Sequence, residues 1–121
     1  MERNQLFIAI LLVGTAMMSV DDYLVDVLMR DLVGHDRRPA SFLVYLWLTC
    51  EQARRHGPVQ MSYQELAESV GLSKSSAQAA VSWLVRRKLL NASKENATAI
   101  PSYTVRSPWR DTARRATLSR S

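Results

Sequence analysis

With 121 residues, the chain has room for one hydrophobic core and short extensions, which excludes a second independent domain. Apolar residues make up 47% and charged residues 22%, an ordinary globular balance that excludes wholesale disorder and a polytopic membrane protein. The net charge of +5 is unevenly spread, because residues 1–36 carry six acids and two bases and residues 37–121 five acids and fourteen bases.

A basic half on a globular domain points to a polyanion, since each Lys or Arg that meets a phosphate releases condensed counterions. The plain alternative is a solvated surface whose charge aids solubility. The single cysteine, Cys50, cannot form an internal disulfide, which suits a reducing compartment. It lies in an apolar run and is expected to be a buried, inert hydrophobe. These features together give a cytoplasmic, nucleoid-associated address as the expectation.

At the N-terminus, Leu6–Met18 is shorter than the roughly 20 apolar residues that a hydrocarbon core demands. Its length suits a signal-peptide core, but Glu2 offsets Arg3 and no small-x-small cleavage site follows. Residues 1–19 therefore read as an apolar extension, either a weak anchor or the product of a start assigned upstream of Met17 or Met18. Membrane association is not expected.

From Asp21, DDYLVDVLMRDLVG reads as a helix with two acids in the first turn, where negative charge suits the helix dipole. Leu24, Val27, Leu28 and Leu32 form its expected packing stripe and Gly34 its expected stop. His35–Pro39 reads as a turn. The following run from Ala40, SFLVYLWLTCEQARR, is apolar all round and therefore central. Phe42, Tyr45, Leu46, Thr49 and Ala53 are expected on one side and Leu43, Trp47 and Cys50 on the next, with Gly57 and Pro58 ending the helix.

Met61–Leu90 carries the strongest local signals. Ser62 and Glu65 are spaced as a capping box, with Met61 and Leu66 placed as a hydrophobic staple. Gly71 ends this short helix, and Ser73 caps a second that is expected to run to Lys88. Two helices joined by a Gly-Leu-Ser corner must cross steeply. Ala67 permits close approach, while Leu66, Val70, Leu72, Val81 and Leu84 wedge the corner, as in a helix-turn-helix. The alternative is a plain helical hairpin inside an all-α bundle.

The sequence ELAESVGLSKSSAQAAVSWLVRRKLL resembles the winged helix-turn-helix regulators over Ser62–Leu90. It departs from their usual pattern at Ala77, where a larger aliphatic is common, and at Lys88, where glycine is usual. The resemblance implies a fold that is mainly α with a small β-hairpin, a helical core followed by a C-terminal wing. Leu89–Lys94 and Ala99–Val105, separated by a turn at ENAT, supply that hairpin. The winged domain is expected over residues 20–109 and a basic, disordered tail over 110–121, with Trp109 tying the tail's start to the core.

In such folds the second helix enters the major groove. Ser73, Lys74, Ser75, Ser76, Gln78, Ala79 and Ser82 are then the expected outer face. Short hydroxyl and methyl side chains permit close approach, Gln78 matches the donor and acceptor of adenine, and Lys74 reaches phosphate or guanine. Arg86 and Arg87 at the helix end, and Lys94 and Arg106 on the wing, are the expected backbone contacts. Glu95 at the tip disfavours deep insertion. For each of these residues the plain alternative is a solvated surface.

No Gly-rich phosphate loop, paired-cysteine metal spacing or nucleophile elbow occurs, and His35 and His56 stand far apart. The expectation is no catalytic residue, no metal, no cofactor and no enzyme activity. Double-stranded DNA is the expected partner, with a homodimer left open. A sequence-specific transcription regulator is the leading function. The alternatives are a plasmid or phage replication accessory and a winged domain that binds proteins instead of DNA. If the apolar extension is no anchor, a chain beginning at Met17 keeps the DNA affinity of the full chain. Recovery of the full chain in membranes after salt washing overturns that expectation.

Overall fold

The computed structural model describes residues 18–110. The expectations for the apolar extension up to Met17 and for the tail from Asp111 onward fall outside those residues. Among the described residues, four helices form the main core and pack against a three-stranded antiparallel sheet.

The first helix, α1, is built of two π-helical segments, Leu24–Leu28 and Arg30–His35. Its hydrogen bonds reach back five residues, as from Met29 N–H to the Leu24 carbonyl and from Asp36 N–H to the Asp31 carbonyl at 2.8 Å. That wider turn changes which side chains align. Leu24, Leu28 and Leu32, four apart, are buried in the core, whereas Val27 is 39% exposed. Three residues no longer complete a turn, so the expected place of Val27 on the packing stripe is corrected. Gly34 does not stop the helix either; the chain turns off at Arg37, whose φ of 56° is left-handed.

Helix α2, Pro39–Arg55, begins with a proline in the first turn, where a missing N–H costs nothing. Ser41, Phe42, Val44, Tyr45 and Leu48 are its buried residues. Ala53 is exposed and Leu43 is 45% exposed, so the expected faces are rotated. A helix apolar on every side offers no contrast from which to choose its buried arc; contacts with α1 and the later elements choose it. Cys50 is only half-buried. The helix ends at His56, itself left-handed at φ 54°, one residue before the expected Gly57.

Strand β1, Val59–Gln60, is followed by α3, Tyr63–Val70. The capping box forms as read: Ser62 Oγ accepts from Glu65 N–H at 3.1 Å and Glu65 Oε1 accepts from Ser62 N–H at 3.4 Å. Met61 and Leu66 are buried beside it. Gly71 closes α3 with φ 90°, and its N–H and that of Leu72 both reach the Ala67 carbonyl at 2.8 Å. A side chain at that φ is strained, which accounts for glycine.

Helix α4, Lys74–Arg86, is capped by Ser73, whose hydroxyl accepts from Ser76 N–H at 3.2 Å. It ends before the expected Lys88 because Lys88 adopts φ 60°. Leu89 N–H bonds the Leu84 carbonyl at 2.9 Å and Lys88 N–H bonds the Val85 carbonyl at 3.0 Å, a Schellman closure with buried Leu84 and Leu89 beside it. Lysine thus occupies the left-handed position usually given to glycine.

Strands β2, Leu90–Ser93, and β3, Ser102–Val105, pair antiparallel with Leu90 opposite Val105 and Ser93 opposite Ser102. They are shorter than the sequence suggests. In the connection, Asn96 Oδ1 accepts from Thr98 N–H at 3.0 Å and takes the backbone out of the ladder. β1 pairs with the other edge of β3, Val59 opposite Tyr103, so the sheet order is β1-β3-β2. This third strand was not anticipated, because two residues carry no periodicity.

The sheet is tied to α2 by Tyr45, whose hydroxyl donates to the Arg106 carbonyl at 2.8 Å, and by Gln52, whose Oε1 accepts from Val105 N–H at 2.7 Å. Trp109 does join the core: its ring stacks on Tyr23 at 4.3 Å and its Nε1 donates to Asp21 Oδ2 at 3.0 Å.

Replacing Lys88 by glycine removes the left-handed penalty, which is about 1 kcal/mol or more per residue, while adding unfolded-chain entropy. Lys88→Gly is therefore expected to raise stability by about 0.5–1 kcal/mol in denaturant unfolding; a loss of stability contradicts the strained closure. Asp21 supplies an acid-side test. Hydrogen bonds from Trp109, then Arg110 and the Tyr23 amide, lower its pKa from 3.8 to about 2. A depressed carboxyl contributes stability above its unfolded pKa and loses it as pH falls through the folded value. Asp21→Asn should flatten the decline of melting temperature between pH 4 and 2 relative to the parent chain. An unchanged acid limb tells against that cluster.

Candidate nucleic-acid interface

Helix α4 has two faces of opposite character. Ala77, Ala80, Val81 and Leu84 are buried, while Ser73, Lys74, Ser75, Ser76, Gln78, Ala79, Ser82 and Arg86 are all exposed. The small Ala77 and Ala80 let α4 lie close to the core, and buried Ser41 of α2 directs its hydroxyl to the Ala80 carbonyl at 3.5 Å. Ala77, where the resemblance expects a larger aliphatic, is therefore a close-packing residue. Of the exposed hydroxyls, that of Ser73 is occupied by capping and by the hydroxyls of Ser75 and Ser76, at 3.3 and 2.9 Å.

The C-terminal half of α4 is braced by a carboxylate largely shielded from water. Asp36, in the turn between α1 and α2, has a side chain only 5% exposed. Its Oδ2 accepts from Trp83 Nε1 at 2.9 Å and pairs with Arg87 Nε at 3.2 Å, and its Oδ1 lies 2.9 Å from His35 Nδ1. Burial pushes the Asp36 carboxyl pKa up, but His35, Trp83 and the Arg87 charge outweigh that and hold it below its ordinary value. Arg87 also meets Asp31 at 3.3 Å. Its guanidinium thus joins α4 to α1 and the α1–α2 turn, whereas Arg86 has no carboxylate partner among the described residues.

Two residues outside the expected contact set share the α4 surface. Arg37 and Arg38 line a groove of about 380 Å³ with Ser76 and Ala79. Arg38 and Ala79 continue into a second, of about 310 Å³, with Ser82, Trp83 and Arg86. The Arg38 guanidinium carbon stands 4.3 Å from the centre of the Trp83 ring. Sequence placed both arginines in a turn between helices, and nothing local shows that the turn folds beside α4.

The sheet separates the other two named cations. Lys94 follows the outer end of β2 and sets its ammonium 5.5 Å from the centre of the Tyr63 ring, beside exposed Glu95. Arg106 follows the opposite end of β3, with its N–H on the Leu89 carbonyl at 2.9 Å. They do not form one cluster. Among the described residues no group of three or more His, Cys, Asp or Glu is arranged to hold a metal, and no helix is long and apolar enough to cross a membrane.

Comparison with protein-family models, with curated proteins and with solved structures gives no match. The architecture itself, a helical domain in which α3 and α4 are joined by a short corner and followed by a small antiparallel hairpin, is compatible with a helix-turn-helix module.

Proposed function

We propose that the chain is a winged-helix protein that reads duplex DNA as a sequence-specific transcription regulator, acting by binding and not by catalysis. The observation that carries this reading is the outer face of α4. Among the described residues no other element covers it; it is made of short side chains around Gln78 and is flanked by Lys74 and Arg86. An α-helix with such a face fits a major groove about 12 Å wide, and short side chains let its backbone approach the base edges.

In this reading Gln78 contacts a base, adenine being the best match for its paired donor and acceptor. Lys74 in the first turn holds a phosphate. Ser75, Ser76, Ala79 and Ser82 line the approach, while Ser73 and Arg87 position the helix. The β2–β3 hairpin is the wing, with Lys94 and Arg106 as backbone contacts at its two ends. Glu95 keeps the tip shallow by repelling phosphate.

A second reading, docking of another protein, draws on α1, where Val25, Met29 and Val33 recur every four residues and are 55%, 40% and 40% exposed. An apolar stripe on a helix excludes water when a partner covers it.

Gln78→Ala and Lys74→Ala separate base reading from phosphate holding. The first is expected to cost about 1–3 kcal/mol on a selected site and relax preference at one base pair, with nonspecific binding nearly unchanged. The second should weaken all sequences alike and lower the salt slope by about one. Binding to selected and scrambled duplexes across a salt series, with circular dichroism as the folding control, measures both. If neither variant alters binding to any duplex, the protein-docking reading replaces this one.

A further inference from the structure

We infer that Arg37 and Arg38, at the start of α2, grip the phosphate backbone along one flank of the groove that α4 enters. This inference rests on the DNA-binding reading of α4 and adds a second element to the contact surface.

Position is the first argument. The two grooves beside α4 are neighbours that share Arg38 and Ala79 in their linings, and between them they extend from the α2 start to Arg86. A helix lying in the major groove has a phosphate rail along each flank, within reach of long side chains. Arg37 and Arg38 stand on the flank where those grooves run.

Charge is the second. The carboxylate nearest in sequence, Asp36, also lines the first groove, but its side chain is only 5% exposed and is engaged at both oxygens by His35, Trp83 and Arg87. Among the described residues neither Arg37 nor Arg38 forms an ion pair. Their two positive charges are left uncompensated beside a helix face that has no acid.

Preorganisation is the third. The Trp83 ring is fixed by its own hydrogen bond to Asp36, and Arg38 lies over it at 4.3 Å. A guanidinium resting on an aromatic face loses little further freedom on binding, and its in-plane N–H groups can pair bidentately with phosphate. Arg37 holds a left-handed backbone, φ 56°, that asparagine or glycine would adopt at lower cost.

The test measures affinity of the full chain for selected and scrambled duplexes between 50 and 200 mM salt. Arg37→Asn removes the charge with a residue that tolerates the left-handed backbone, and it leaves the Trp83 contacts intact. Arg38→Gln removes the second charge, while Arg38→Lys retains it. Arg54, at the far end of α2 and paired with Glu51 at 3.3 Å, supplies the control Arg54→Gln. Arg37→Asn and Arg38→Gln are each expected to lower the salt slope by about 0.9, so that the affinity lost across this salt range shrinks about 3.5-fold. Sequence preference should not change. Arg38→Lys should keep the parent slope, as should Arg54→Gln.

If Arg37→Asn and Arg38→Gln keep the parent slope while Gln78→Ala and Lys74→Ala still alter binding, α4 reads DNA without the α2 start and the inference falls alone. An equal loss in Arg54→Gln also overturns it, because overall charge then explains the effect. Should Arg38→Gln fail to fold, Arg37→Asn decides. If the parent chain shows no salt-dependent binding to any duplex, the DNA-binding reading and this inference fall together.

Discussion

A carboxylate withdrawn from water has to be matched by charge and hydrogen bonds or it destabilises the fold. Asp36 meets that condition through Trp83 of α4, Arg87 at the C-cap of that helix and its immediate neighbour His35. The match is also a geometric restraint, because it joins the α1–α2 turn to the last turns of α4. Together with Ala77, Ala80 and Ser41 at the close contact between helices, it determines how α4 lies on the core. The outer face of α4, and the grooves beside it, follow from that placement.

The same pairing sorts the charges. The acids near the start of the chain are partly consumed within the fold: Asp21 by Trp109 and Arg110, Asp31 and Asp36 by Arg87. What remains around α4 is cationic, with Lys74, Arg86, Arg37 and Arg38 lacking carboxylate partners among the described residues. A field of one sign at a surface attracts polyanions over distances comparable with the Debye length. Uneven charge along the sequence is therefore converted to uneven charge in space by a few ion pairs.

The hairpin depends on the other half of α2. Tyr45 and Gln52 bond the backbone at the end of β3, and β1 adds a short third strand on its free edge. A two-stranded hairpin alone is marginal in water. Packing on α2 and pairing with β1 make it a fixed part of the domain, with Lys94 and Arg106 at opposite ends.

Features whose partners lie within a few residues were legible in the sequence. The Ser62 and Glu65 box, the Ser73 cap and the Gly71 stop each close hydrogen bonds over a short span, so residue type and spacing suffice. The exposed face of α4, from Lys74 to Arg86, was legible for the same reason: its apolar and polar residues alternate at helical period. The buried arc of α2, the π-helical winding that turns Val27 outward and the two-residue strand Val59–Gln60 were decided by packing between segments. So were the left-handed Lys88, fixed by Leu84 and Leu89, and the union of Arg37 and Arg38 with α4. These outcomes depend on neighbours brought together by the fold, such as Arg87 and Asp31, 56 residues apart in sequence. Local spacing specifies hydrogen bonds within a turn of chain, whereas burial and charge pairing are settled only when separate elements meet.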